Sequence, residues 1–107
     1  MAAPFIERIR DAWNAAGRDG SPRFVGLAYV ALGDAVRDGL AYLRHYYAFI
    51  GDWAEAIASA TLTTREAILS AIEAFGAVGL DELILDATVA DPDQVDLLAD
   101  AVFGGVR

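Results

Sequence analysis

Nine consecutive residues, Phe24-Val25-Gly26-Leu27-Ala28-Tyr29-Val30-Ala31-Leu32, carry no charge, amide or carboxyl group. A helix with one wet face would show polar residues at three- or four-residue steps, and a strand with one wet face would alternate. This run does neither. It predicts a strand covered on both faces, as strands of parallel sheets are, although a buried helix of this length shares the pattern. Extended to Gly33, the run is about half of the roughly 18 to 20 residues that a bilayer crossing requires. Met1 to Arg10 lacks the basic-then-apolar layout of a secretion signal. The expectation is a soluble, cytoplasmic chain with no membrane partner.

Turn and capping signals frame the run. Upstream, Pro4 occupies a first-turn position, Phe5, Ile6, Ile9 and Trp13 follow at helical steps, and Gly17 stops the pattern. Arg18-Asp19-Gly20-Ser21-Pro22 then collects turn-forming residues. Downstream, Asp34 stands in an N-cap position before Val36, Leu40, Leu43, Tyr47 and Ile50, until Gly51 interrupts. A short helix carries Trp53, Ile57 and the alanines to Ala60. Thr63 and Glu66 form an S/T-x-x-E capping box ahead of Ile68, Leu69, Ile72 and Phe75, with Gly79 as terminator. Leu83-Ile84-Leu85, flanked by Asp86 and Thr88-Val89, reads as a second strand. Asp91-Pro92-Asp93-Gln94 opens a last helix with an N-cap, a first-turn proline and a reciprocal Gln; Val95, Leu98 and Val102 are its stripe, and Gly104-Gly105 end it.

The order is therefore helix, strand, helices, strand, helix. Two successive βα units, each strand running into an Asp-headed helix, are the repeat of an α/β barrel or an open parallel sheet. About 50 residues separate the strands, enough for a right-handed crossover that makes them parallel neighbours. Two parallel strands leave open edges and two apolar faces that helices from one side cannot cover, and such sheets are marginal and prone to associate. At 107 residues the chain is also far below the 200-plus residues usual for a closed (β/α)-barrel.

Composition narrows the partners. With no cysteine, neither disulfides, a zinc ribbon nor a thiol nucleophile is available, and burial must hold the fold. A chain that is 56% hydrophobic and 22% charged is not disordered. Sixteen acidic residues against eight basic ones, all of them Arg, give a net charge of −8, which argues against nucleic acid and anionic membranes as partners. The sequence has no Walker loop, no G-x-G-x-x-G and no G-x-S-x-G elbow.

Several segments carry a family resemblance. They are Ala12-Trp13 with Ala16-Gly17-Arg18; Pro22-Arg23-Phe24-Val25-Gly26-Leu27-Ala28-Tyr29; Tyr42-Leu43-Arg44 with Tyr46-Tyr47-Ala48-Phe49; and Gly79-Leu80-Asp81-Glu82-Leu83-Ile84-Leu85 with Asp93-Gln94-Val95. In order and spacing they resemble the C-terminal portion of the luciferase-like monooxygenases, the flavin- or deazaflavin-dependent oxidoreductases that fold as TIM barrels. One departure is Asp86-Ala87-Thr88, with Ala where similar sequences carry Pro. The resemblance implies an α/β fold made of the last two βα units of a TIM (β/α)8 barrel, helix-rich, with residues 1–107 as a single partial domain, the C-terminal third. It implies a reduced flavin (FMN) or deazaflavin cofactor in the complete enzyme, none bound tightly by this chain alone, and a small-molecule substrate. The catalytic face would lie at the carboxyl ends of the strands, near Leu32, Gly33 and Asp34 and near Asp86, Ala87 and Thr88. No catalytic or cofactor-contacting residue carries over to a position here.

Four residues are substrate-pocket candidates. Asp86 and Thr88 are polar groups at the end of an apolar strand, where they point to a mouth or cap the next turn. Tyr46 and Trp53 belong to an aromatic group with Tyr42, Tyr47 and Phe49 that serves mainly core and rim packing. His45, the only histidine, falls beside the apolar stripe and reads as a rim residue. Asp91, Asp93 and Asp96 lack the Gly and terminal Glu of a calcium loop and read as capping and helix-dipole residues, so no metal site is expected. The resemblance implies a C-terminal fragment of a luciferase-like monooxygenase or oxidoreductase, inactive alone and completed by the remainder of the barrel; the alternative is a small non-enzymatic βα assembly module that self-associates or pairs with another chain. Self-assembly into a barrel-like oligomer is a third arrangement.

Overall fold

The computed structural model describes residues 2–104. Helix α1 (Ala2–Ala15) precedes strand β1 (Val25–Val30), after which come α2 (Val36–Tyr46), α3 (Trp53–Ser59), α4 (Arg65–Ala77), strand β2 (Glu82–Ala87) and α5 (Asp93–Phe103), with single 3-10 turns at Gly33–Ala35 and Ala48–Ile50. The architecture is mixed α/β: two parallel strands in one sheet with helices around them. Among the described residues no helix is long and apolar enough to cross a membrane.

Most of the predicted stops and starts are in place, and three caps are built differently. The chain turns with left-handed glycines after α1 (Gly17, φ 70°), before α3 (Gly51, φ 65°) and after α4 (Gly79, φ 97°). At Gly79 the amide of Leu80 reaches back to the Phe75 carbonyl, closing the end of α4. The cap of α4, however, is Thr64, whose hydroxyl accepts the Ala67 amide at 3.1 Å, so the pattern is displaced by one residue from the expected Thr63–Glu66 box. Asp34 caps nothing: a 3-10 turn intervenes and α2 starts at Val36 without a side-chain cap. Asp91 does accept the Asp93 amide at 3.0 Å at the start of α5. Gln94 does not fold back as a reciprocal cap; its side chain crosses to β1's exit, as described below. Gly104 follows α5 directly, and Gly105 lies outside the described residues.

Register fixes the two faces of the sheet. Val25 pairs with Glu82, Leu27 with Ile84 and Tyr29 with Asp86, so these six side chains share one face. The opposite face, from Gly26 to Val30 and from Leu83 to Ala87, receives the helices. There Val30, fully buried, packs with Leu85, Ala87, Ile68 of α4, and Leu98 and Ala101 of α5. Gly26 lies close against Leu80, and a Cβ there would push aside the tip of the Leu80 side chain. On the first face Val25, Leu27 and Ile84 remain 50%, 52% and 44% exposed. The expectation of a β1 covered on both faces is thus corrected within this chain: the helices pack over one face only.

The sheet ends and edges are tied unevenly. At the amino ends, Asp81 accepts the Phe24 amide at 2.7 Å and returns its own amide to the Phe24 carbonyl, while Arg23 pairs with Glu82 at 2.6 Å. Arg10 of α1 lies over the Phe24 ring. On the outer edge of β1 a single parallel bridge forms, Ala31 donating to the Leu62 carbonyl and Leu62 donating to that of Tyr29. The molecule is flat, 49 × 42 × 20 Å, with a radius of gyration of 16.1 Å against about 13 Å for a compact domain of this length. It exposes 7305 Å², where an isolated globule of 11.4 kDa exposes about 5,800 Å².

Candidate functional site

In parallel α/β sheets the carboxyl ends of strands are where loops leave polar groups around a cleft. A cavity of about 610 Å³ opens at this end, between the exits of β1 and β2 and the flank of α2. Tyr29 and Asp86, which pair across the two strands, form its floor; Tyr42, Leu43 and Tyr46 of α2 form a wall, and Thr88 leads into the loop after β2. α2 is set against the strands by its own sequence. Leu43 is fully buried, and Gly39 lets the helix approach so closely that a Cβ would collide with the Thr88 hydroxyl and the Ala31 methyl.

The cavity brings together Asp86, Thr88 and Tyr46 of the four candidates. Trp53 stands apart, 71% exposed at the start of α3 and outside the lining. Thr88 is buried, and its hydroxyl donates to the Val30 carbonyl at 3.1 Å, the same carbonyl that accepts the Thr88 amide. Its polar atom is therefore committed to joining the two strand exits. Asp86 is exposed, with no ion-pair partner among the described residues. His45 is exposed on α2 and does not line the cavity.

Four tyrosines interlock around the floor. Tyr42 and Tyr46 stack at 5.8 Å, Tyr46 meets Tyr47 edge-on at 4.9 Å, and Tyr47 meets Tyr29 edge-on at 6.2 Å. The hydroxyls of Tyr29 and Tyr47 share a short hydrogen bond. That bond, with burial and the nearby Asp86 carboxylate, raises Tyr29 to about 12, so its phenol stays neutral across the physiological range.

A second feature holds the mouth from the side. The Gln94 amide is 3% exposed, accepts the Leu32 amide N–H at 3.0 Å and donates to the Leu32 carbonyl at 3.0 Å. One side chain thereby bonds both backbone groups of Leu32, two residues past the end of β1, and fixes α5 to that loop. Next to this clamp a concavity of about 500 Å³ is lined by Asp34, Asp38, Asp91 and Asp93. No group of three or more His, Asp or Glu side chains arranged to hold a metal occurs among the described residues.

Sequence reasoning missed Tyr29 as a site residue and Gln94 as a clamp. Tyr29 sits inside an apolar run, and only the register opposite Asp86 reveals its place on the floor. The Tyr42–Tyr46 spacing of four residues was the available signal for the wall. No family model, no curated protein and no solved structure matches the chain.

Proposed function

We propose that the chain provides two βα units of a larger parallel α/β enzyme of the luciferase-like type, the last two of a TIM barrel, and that it contributes one wall of that enzyme's substrate pocket. The observation that carries this reading is a coincidence of place. The sheet face left bare by the helices leads directly up to the cavity at the carboxyl ends of both strands, through Leu27, Ile84, Tyr29 and Asp86. A parallel sheet needs both faces covered, and in a barrel the inner face is covered by the other strands while the cavity becomes part of the central mouth.

The implied cofactor meets this chain only in part. A flavin or deazaflavin supplies a ring that carries electrons and a phosphate tail that needs cations or free backbone amides. The described residues do not fit the tail: Asp34, Asp38, Asp86, Asp91 and Asp93 ring the mouth, and no Arg lines either concavity there. The cofactor's phosphate belongs, on this proposal, to other elements of the enzyme. What this chain's residues do is shape an aromatic wall, keep the Tyr29 proton in place, and tie the strand exits together through Thr88 and Gln94.

Reading the coding DNA upstream of Met1 for an in-frame barrel N-terminus tests the reading. Its presence is the expected result; its absence, together with a well-folded monomer on purification, contradicts it. A titration of the full chain with FMN is expected to show no tight binding, and stoichiometric micromolar binding would overturn the assignment of the phosphate to other elements. The excess of exposed area over a compact globule also favours the second reading, a non-enzymatic assembly module in which another copy or another chain covers the same face.

A further inference from the structure

We propose that the cavity at the strand exits is a binding site for a small organic cation, an amine or quaternary ammonium, held between the Tyr42 and Tyr46 rings and the Asp86 carboxylate. This inference rests on the cavity alone and holds whether or not the chain belongs to an oxidoreductase.

Volume, lining and charge agree on it. About 610 Å³ is within the range of small-molecule pockets. Three tyrosine rings line it, from Tyr29, Tyr42 and Tyr46, and aromatic faces attract cations through their quadrupole. Asp86 is the one charged residue in the lining, and no cation pairs with it among the described residues. The neighbouring concavity, with Asp34, Asp38, Asp91 and Asp93, extends the negative potential around the opening and repels anions. The Tyr29 hydroxyl is already engaged with Tyr47, and the Thr88 hydroxyl with Val30, so neither needs the ligand as a hydrogen-bond partner. Besides the Tyr42 and Tyr46 hydroxyls, the cavity offers a ligand π-surface and a single charged group, a carboxylate, the combination that distinguishes a cation from an uncharged molecule of the same shape.

Choline and its uncharged carbon isostere, neopentylcarbinol, are the probes, titrated into the full chain by calorimetry with chemical shifts as a second readout. Choline is expected to bind saturably and neopentylcarbinol at least about tenfold more weakly, the scale of a desolvated cation–π contact. Asp86→Asn and Tyr42→Leu should each weaken choline about three- to tenfold, while Tyr46→Phe, which keeps the ring, should leave it within about twofold. Far-UV circular dichroism of each variant, Tyr42→Leu above all, reports whether α2 remains folded. No saturable choline binding, equal binding of the two probes, or choline affinity unchanged in both Asp86→Asn and Tyr42→Leu would overturn the proposal.

Discussion

The Gln94 side chain does more for this fold than its polarity suggests. Its amide accepts the Leu32 N–H and, together with the Ala35 amide, donates to the Leu32 carbonyl in the loop that leaves β1, and it is itself buried. Gln94→Ala would strand the buried Leu32 N–H, while the Leu32 carbonyl keeps the Ala35 amide as donor, so a loss of about 1–3 kcal/mol in urea unfolding is expected. Gly39 is the steric counterpart: Gly39→Ala should cost about 1–3 kcal/mol, and Thr88→Ala in the same chain should return part of it by removing the hydroxyl that a Cβ meets. The Tyr29–Tyr47 bond gives a pH signature. Below about pH 10 both folded and unfolded chains hold the phenol proton; between there and about 12 the unfolded chain ionises first, so stability falls as pH rises through that window. Tyr47→Phe should bring Tyr29 back toward its ordinary value, read by tyrosinate absorbance. None of these three partnerships was legible in the sequence. Gln94 reads as a local cap because the competing partner, Leu32, is 62 residues away, and Gly39 carries no local signal because the close approach that requires it is tertiary.

At the level of elements, the pattern of apolar spacing located every long helix and both strands, since each depends on residues within one or two turns. Cap assignment went astray where neighbouring residues were chemically equivalent. Thr63 and Thr64 are both suitable, and backbone geometry selects Thr64, with its extended φ of −135° and ψ of 158°. Thr64→Ala should therefore lower stability by about 1 kcal/mol, while Thr63→Ala should change it by a few tenths only; thermal unfolding of the two variants decides between them. The link between α2 and α3 is an exposed fork, Arg44 Nε and Nη2 to the Glu55 carboxylate at 2.8 and 3.1 Å, which holds Glu55 below the ordinary carboxylate range and Arg44 above its own. It orients α3 without anchoring the sheet, and its disruption in strong salt or acid should leave the helical signal of the rest intact.

For the molecule as a whole, the apolar run that predicts a doubly covered strand is half right: β1 is parallel to β2, and the helices bury one face of the pair. The other face is bare because covering it takes a third layer, which neither sequence periodicity nor these helices provide. The substrate-pocket candidates divide along the same line. Asp86, Thr88 and Tyr46 lie where strand polarity puts loop-end residues, and Trp53 does not, because α3 hangs outside the strand exits. On the proposed assembly, this open face is completed by strands from outside one copy of the chain. Sedimentation velocity of the purified full chain, with and without Leu27→Glu on the bare face, tests it most directly. The wild-type chain alone is expected either to sediment above 11.4 kDa, shifting toward monomer in the variant, or to remain a non-cooperatively unfolding species that binds dyes for exposed apolar surface. A monodisperse monomer that unfolds cooperatively, binds no such dye and is unaffected by Leu27→Glu would contradict it.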